Sequence, residues 1–446
     1  MKATTYFYDK LTILLLLFLF IGYTSCSDDE KTAIVKAEVT GFSPISGGAK
    51  TIITLKGTSF GTNPDNIKVT INGKETLIKT VADTEIITEV PKGASTGIIR
   101  VTVGKRPNAQ VLICDTEFTY ISNFVVSTYL GGDASGKLDG NFDVATLSKP
   151  RYLAWGSDDG LYIVEDGASG NSGTDYPSIR LAKGNEVSTI LNVNSSPLVQ
   201  RIRAIDFSSD MNMMYVANDN NSAGTMGFGT MVKSGNSYSN LADITNQKGV
   251  TCTKVHPKTG TVFVAYHTDA WIYQYDGSTL IPKVQLPSES GGIVDKANIN
   301  SILFDKGGTT VYFVSRAKHV VYKGNYDITT GEFKNLEILA GSYGVSGYEN
   351  GFGNKAKFNS PCQADIDEDG NVFVADRGNN CIRMITPEGE VSTFAGTNSA
   401  GMTNGIASQA EFNNPEGCQL GPDGALYIAD YSNHLIRKIE EKAGEL

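Results

Sequence analysis

Six short apolar runs in this chain share one feature: the second residue after each can hydrogen-bond or stack. The runs are LYIV (161–164), MYVA (214–217), VFVA (262–265), VYFV (311–314), VFVA (372–375) and LYIA (426–429). The residues are Asp166, Asp219, His267, Arg316, Arg377 and Tyr431. If the runs are equivalent strands, six polar or aromatic side chains ring one place. Such a ring suits a polyhydroxylated ligand, which needs several donors and acceptors and an aromatic face. Connecting segments add Arg151, Tyr343, Tyr348, Glu349 and Glu416 to the same face. Arg377 offers a fixed fork of donors to hydroxyl or uronate oxygens, and Tyr431 an apolar face with a phenolic hydroxyl. Both are expected on exposed loops.

Metal and acid–base chemistry is less well served. DIDEDGNVFVAD (365–376) has the acid spacing of a calcium loop in Asp365, Asp367, Asp369 and Asp376. Its flanks read as strands, and the corresponding stretch QLGPDGALYIAD (419–430) lacks the first two acids. A hairpin turn is the expectation. His256 stands in a turn beside Pro257, while His267, His319 and His434 fall in loops between strands, with His267 at a different depth. A zinc site needs matched ligands and an open position, so exposed loop histidines are expected instead. HExxH does not occur, and no GxSxG sits on a strand-to-helix elbow. No cofactor is expected, calcium or zinc in a central channel being the alternative left open. Cys114, Cys252, Cys362, Cys381 and Cys418 show no CxxC spacing, which favours buried free thiols.

The elements that must position these residues are repetitive. The runs recur roughly every 50 residues, the period of a four-stranded propeller blade. DDG (158–160), EDG (368–370) and PDG (422–424) mark hairpins before three of them. A polar loop and a third strand follow, as in ADRGNNCIRMI (375–385) and ADYSNHLIRKI (429–439), then a fourth strand such as VSTFAG (391–396). Six blades result, and the last stops one strand short. VSTYLGG (126–132) is an orphan copy of a fourth strand. Donated to the last blade, it would close the ring and remove two free sheet edges. GKLDGNFDVATLSKP (136–150), GYENGFGNKAKFNSP (347–361) and GMTNGIASQAEFNNP (401–415) are three copies of one connector between blades. Asp376, Asn379, Asp430 and Asn433 are expected to tie down their own turns.

Residues 37–121 alternate in short strands and read as an immunoglobulin-like sandwich. IKVTING (67–73) is expected to pair with ETLIKTV (75–81) as a hairpin. The pieces SPISGG, LKGTSFG, INGK, DTEIITEVPKG and IIRVTV resemble the TIG/IPT family, which implies a spacer or interaction module without catalytic residues. The ring resembles the NHL-repeat family, through a glycine turn, a strand ending in Asp, an Asn shortly after and an Ile-Arg strand. The match is closest in the fifth and sixth blades. The first carries an insertion, GASGNSGTDYP (167–177), and the second to fourth lack the Asp and the Ile-Arg pair. The expected fold class is therefore all-β, a TIG/IPT sandwich followed by a six-bladed NHL-type propeller over 122–446. This resemblance implies a ring that hosts lyases, lactonases and pure binders alike, and the lyases hold a metal through histidines on the channel.

The first 25 residues read as a targeting segment. LTILLLLFLFIGYTSC (11–26) is shorter than a membrane span and has Lys2 and Lys10 ahead of it. It resembles a bacterial lipoprotein signal, which implies lipidation at Cys26. SDDE (27–30) opens an acidic linker (26–36) and resembles the export tag of surface lipoproteins in Gram-negative gut anaerobes. The formal net charge of −10 argues against nucleic acid. The whole layout resembles glycan-binding lipoproteins encoded with nutrient-uptake systems. That implies an outer-membrane, cell-surface protein binding a glycan or other small polar ligand, with uptake-system proteins as partners. A propeller lyase or lactonase, or a protein-interaction scaffold, are the alternatives.

Overall fold

The computed structural model describes residues 36–442, apart from 92–93, 95, 106, 122, 133, 167–176, 193–198, 200, 220–225, 236, 246–248 and 293–295. The targeting segment, Cys26, nearly all of the acidic linker and most of the blade-one insertion lie outside the described residues. Among those described there is no α-helix, only strands, turns and four single 3₁₀ turns.

Two sheets form the sandwich. One orders Leu77–Ala82, Glu85–Glu89, Ile52–Thr58 and Glu38–Ser43; the other orders Ser46–Gly47, Gln110–Tyr120, Gly97–Val103, Ile67–Ile71 and Lys74–Glu75. Alternation sends Ile53, Leu55, Val69, Ile71, Ile86, Ile99, Val101 and Phe118 into the space between them. The expected hairpin is only partly formed. Asn72 and Gly73 both have positive φ (46° and 86°), the requirement of a type I′ turn, and join Ile67–Ile71 to Lys74–Glu75. The chain then leaves the sheet. Leu77–Ala82 pairs with Glu85–Glu89 on the opposite layer. The buried Thr76 hydroxyl, bonded to the Val69 carbonyl, marks the crossing.

Six antiparallel sheets form the ring. Their first strands are Pro150–Trp155, Ile202–Phe207, Val250–Val255, Ile299–Phe304, Pro361–Ile366 and Pro415–Leu420. Each touches the first strand before and after it, and the last touches the first, so these strands encircle the axis. The sixth blade takes its outer strand from the start of the ring. Phe124–Leu130 pairs antiparallel with Leu435–Glu441, Val126 opposite Ile439 and Thr128 opposite Arg437. Backbone hydrogen bonds thereby join the two ends of the ring. In each of the three matching connectors a two-residue strand adds to the outer edge of the blade that follows: Gly140–Asn141, Gly351–Phe352 and Gly405–Ile406. Apolar side chains fill the gaps between blades, as where Phe373, Phe394 and Phe124 meet edge to face.

A buried ion pair fixes each of these connectors. Asp376 accepts from the Asn359 amide (2.7 Å), Asn379 (2.8 Å) and Arg383 (3.0 Å). Arg383 in turn donates to the carbonyls of Lys357 and Glu349 and to the Asn350 side chain. Asp430 and Arg437 repeat the arrangement in blade six, and Glu165 and Arg180 in blade one. All six side chains have zero exposure. The four polar residues do not bond the backbone of their own turns as expected: Asp376 and Asp430 hold the connector amides of Asn359 and Asn413, Asn379 and Asn433 hold the connector carbonyls of Gly347 and Gly401, and the arginine of the Ile-Arg strand completes each set. Burial pushes both aspartates up to about 6 despite it.

Candidate functional site

Position at the mouth of the channel is set by two repeating backbone devices. The first is a bulge. In every blade the pairing of first and second strands slips after its opening pair, for example between Pro150 and Tyr152 opposite Glu165 and Val164. The same slip follows Ile202, Val250, Ile299, Pro361 and Pro415. A bulge leaves one residue unpaired and re-aims its side chain. Those residues are Arg151, Arg203, Thr251, Asn300 and Glu416, with Cys362 and Gln363 in the longer slip of blade five.

The second device pins the residue after the second strand. The amides of Asp166, Asp219, His267 and Arg316 donate to the carbonyls of Lys149, Arg201, Gly249 and Asn298 at 2.7 to 3.1 Å. In blades five and six a 3₁₀ turn intervenes, and Gly378 and Ser432 make the equivalent bond to Asn359 and Asn413.

Together the two devices enclose a cavity of about 470 Å³ at one mouth of the ring, lined by thirteen residues from all six blades. All six side chains of the post-strand slot line it, Asp166, Asp219, His267, Arg316, Arg377 and Tyr431, as do Arg151 and Glu416. Arg201, Arg203, Thr251, Asn298 and Asn300 complete it, and the sequence reading missed them. Arg203, Thr251 and Asn300 are the second residues of their first strands, and Arg201 and Asn298 immediately precede theirs, positions that a proline flags at Arg151 and Glu416 but not in these blades.

Tyr348, Tyr343 and Glu349 do not line the cavity. The connector passes over the outer part of its blade before it reaches the mouth. Tyr348 therefore covers the Arg383 guanidinium at 5.1 Å, with its hydroxyl 2.9 Å from Thr393. Glu349 pairs with Lys357, and Tyr343 lies under Lys318.

The charged groups interlock. Glu416, 5% exposed, meets Arg151 Nη2 and Arg377 Nε, both at 2.7 Å, and Arg316 Nη1 at 3.8 Å. Asp166 accepts from Arg151 (2.6 Å) and from the Tyr431 hydroxyl (3.3 Å). Asp219 accepts from Arg203 Nη2 (2.8 Å) and Nε (3.0 Å). Burial alone would raise Glu416 and Asp166, but the neighbouring arginines outweigh it and hold both below the usual carboxylate range. Burial, with Arg151 beside it, pushes Arg203 down to about 10, and burial with the nearby acids raises Tyr431 to about 12. Arg377 and Tyr431 are half-buried rather than on free loops. The Arg377 guanidinium also stands 5.8 Å from the Tyr431 ring centre.

The histidines serve different ends. His319 Nδ1 accepts from the Ser360 amide and His434 Nδ1 from the Lys149 amide, both at 3.0 Å, each tying its loop to the next blade. Asn380 does the same for Asn414 at 2.9 Å, and all three residues have positive φ. His256 is no exposed residue: it is 1% exposed, with Nδ1 accepting from Lys258 and Thr259 and Nε2 donating to the Gly308 carbonyl. Only His267 reaches the cavity, its Nδ1 3.2 Å from Asp219. The acids of 365–376 are divided likewise. Asp365 accepts from Gln419 and the Leu420 amide, Asp367 from the amides of Asp369 and Asn371 within its hairpin, and Asp376 from Arg383. The five cysteines at 114, 252, 362, 381 and 418 are buried free thiols.

Comparison with known proteins places both halves. Residues 37–120 are an IPT/TIG domain. A stretch of 72 residues is 35% identical to NHL repeat-containing protein 2 of Bos taurus, covering 16% of this chain and 10% of that protein. The curated relatives are thus matched over about a tenth of their length. Among solved structures, a Bacteroides thetaiotaomicron VPI-5482 protein named provisionally as a phosphatase is 26% identical, with a TM-score of 0.64, over 92% of this chain and 98% of its own. An auxiliary nutrient binding protein of Bacteroides ovatus ATCC 8483 is 23% identical, with a TM-score of 0.62, over 91% and 98%. The IPT/TIG domain and the ring therefore recur together in those structures.

Proposed function

We propose that this chain is a cell-surface lipoprotein that binds a glycan at the mouth of its ring. In this reading residues 1–25 are the signal, Cys26 carries the lipid, 26–36 form the acidic linker, and the sandwich (37–121) spaces the ring (122–446) from the outer membrane. The observation that carries the proposal is the cavity itself. All thirteen lining residues offer a hydrogen-bonding group, and they come from every blade. A polyhydroxylated ligand needs that density of donors and acceptors, whereas an apolar ligand would leave them unpaired. The fold shared with nutrient-binding proteins along nearly the whole chain supports the same reading. The test is a screen of oligosaccharides by calorimetry, with product analysis of each mixture. Saturable binding without product supports it; turnover of a bound sugar contradicts it.

One observation favours an enzyme instead. Asp219 Oδ1 and His267 Nδ1 lie side by side in the cavity, and neither makes a well-formed hydrogen bond with a described residue. Such a pair can relay a proton. Turnover that His267→Asn abolishes, with binding intact, would establish this second reading.

A further inference from the structure

Charge at the mouth is out of balance in a protein that is acidic overall. Five arginines line the cavity, Arg151, Arg201, Arg203, Arg316 and Arg377, against three carboxylates, Asp166, Asp219 and Glu416. The surplus of two positive charges is not spread evenly. Arg151 and Arg203 are 5% and 11% exposed and are saturated by the acids at 2.6 to 2.8 Å. The other three face solvent. Arg316 and Arg377 are 25% and 27% exposed, and Arg201 is 45% exposed. Their bonds are incomplete. Arg377 gives only Nε to Glu416, so its two terminal nitrogens have no partner among the described residues. Arg316 and Arg201 approach a carboxylate no closer than 3.8 and 3.5 Å.

Guanidinium donors in a partly dry cavity are strongly stabilised by a planar or tetrahedral oxyanion, because charge-assisted bonds gain where water is excluded. Burial first, and the neighbouring Arg151 after it, hold the Arg203 guanidinium low. A neutral sugar would satisfy Asn298, Asn300 and Thr251 but leave that surplus uncompensated.

We infer that the ligand of the mouth is an acidic saccharide, whose carboxylate or sulfate is held by Arg316 and Arg377, which share Glu416, with Arg201 adding to the positive field, while its hydroxyls meet Asn298, Asn300, Thr251 and Tyr431. This rests on the reading of the mouth as a glycan site and narrows it to an anionic class.

The experiment is calorimetric titration of the purified full-length protein at low salt. The probes are an oligogalacturonide, the same chain as its methyl ester, a sulfated galactan oligosaccharide and inorganic sulfate. An acidic oligosaccharide should bind at least about tenfold more tightly than its neutral counterpart and weaken as salt is added. Arg316→Ala with Arg377→Ala should remove most of that preference. Arg201→Ala, at the most exposed of the three, should lower it with the fold intact. The carboxylate and sulfate arms identify which oxyanion fits. Equal binding of acid and ester would overturn the anionic assignment and leave the glycan reading standing. Arginine-dependent binding of sulfate alone would uphold the anion seat and defeat the glycan reading. No arginine-dependent binding of any probe would defeat both.

Discussion

The same two residue types, arginine and carboxylate, do opposite work in two regions of this ring. In the outer slots of blades five and six one acid faces one arginine, both wholly buried, and in blade one the buried Arg180 meets the buried Glu165 and the half-exposed Asp139. At the mouth, arginines outnumber acids and three of them reach solvent. The acids record the difference. Burial lifts Asp376 and Asp430 to about 6, while the arginine excess draws Asp166 and Glu416 below their usual range. A balanced, sealed pair holds a connector in place; an unbalanced, open cluster is poised for a ligand. Stoichiometry and exposure, not residue type, separate scaffold from site.

The comparison is broken most readily in the slots. Arg437→Ala should cost about 3–5 kcal/mol of stability, because it strands a buried carboxylate and frees a connector. Arg316→Ala at the mouth should cost well under about 1 kcal/mol. Thermal or denaturant unfolding of the two variants checks this, and equal losses would erase the distinction. Next in size is the double variant Arg377→Ala with Tyr431→Ala. It should lose about 2–4 kcal/mol of ligand binding and about 1–2 kcal/mol of stability. The stability loss arises because both side chains bond buried carboxylates, Glu416 and Asp166. Glu416→Gln sharpens the contrast from the other side. Removing a mouth acid should tighten an anionic ligand by roughly threefold to tenfold while lowering the melting temperature. Calorimetry on the variant reads both.

Much of this was legible in sequence, for identifiable reasons. The apolar runs fix register within each blade, so the residue two places on lines the cavity in all six. The orphan VSTYLGG was legible because a fourth strand without a third has only one use. The bulge residues were not. A bulge is a property of paired strands, and Arg203, Thr251 and Asn300 lie in blades whose first strands lack the proline that flags Arg151 and Glu416. Tyr348 was misplaced because a connector's path over its blade is invisible in a linear alignment. His319 and His434 were read as exposed loop residues, yet they occupy the position that Asn380 fills in blade five. Aligning KHV, NNC and NHL shows it, once the left-handed turn and the amide beyond are known.

The smallest expected effect is on pH. Asp376 and Asp430, near 6 when folded against about 4 unfolded, bind protons more tightly in the native state. The stability they contribute is fully present below about pH 4 and lost as pH rises through about 6. Asp376→Asn should flatten that part of the melting profile. Asp166 and Glu416 are shifted the other way and stay ionised in that range. Titration of these two acids should therefore change ligand affinity by less than about twofold between pH 5.5 and 7.5. A steep loss of affinity in that window that persists in His267→Asn, which removes the imidazole lining the cavity, would contradict this.

The most direct test of the central claim is a crystal structure of the protein soaked with the tightest-binding acidic oligosaccharide. The account predicts ligand density in the mouth, with an oxyanion within hydrogen-bonding distance of Arg316 and Arg377 and a sugar against Tyr431, and the slot pairs Asp376–Arg383 and Asp430–Arg437 unchanged. Density elsewhere on the ring or on the IPT/TIG domain, with the mouth holding only solvent, would contradict it.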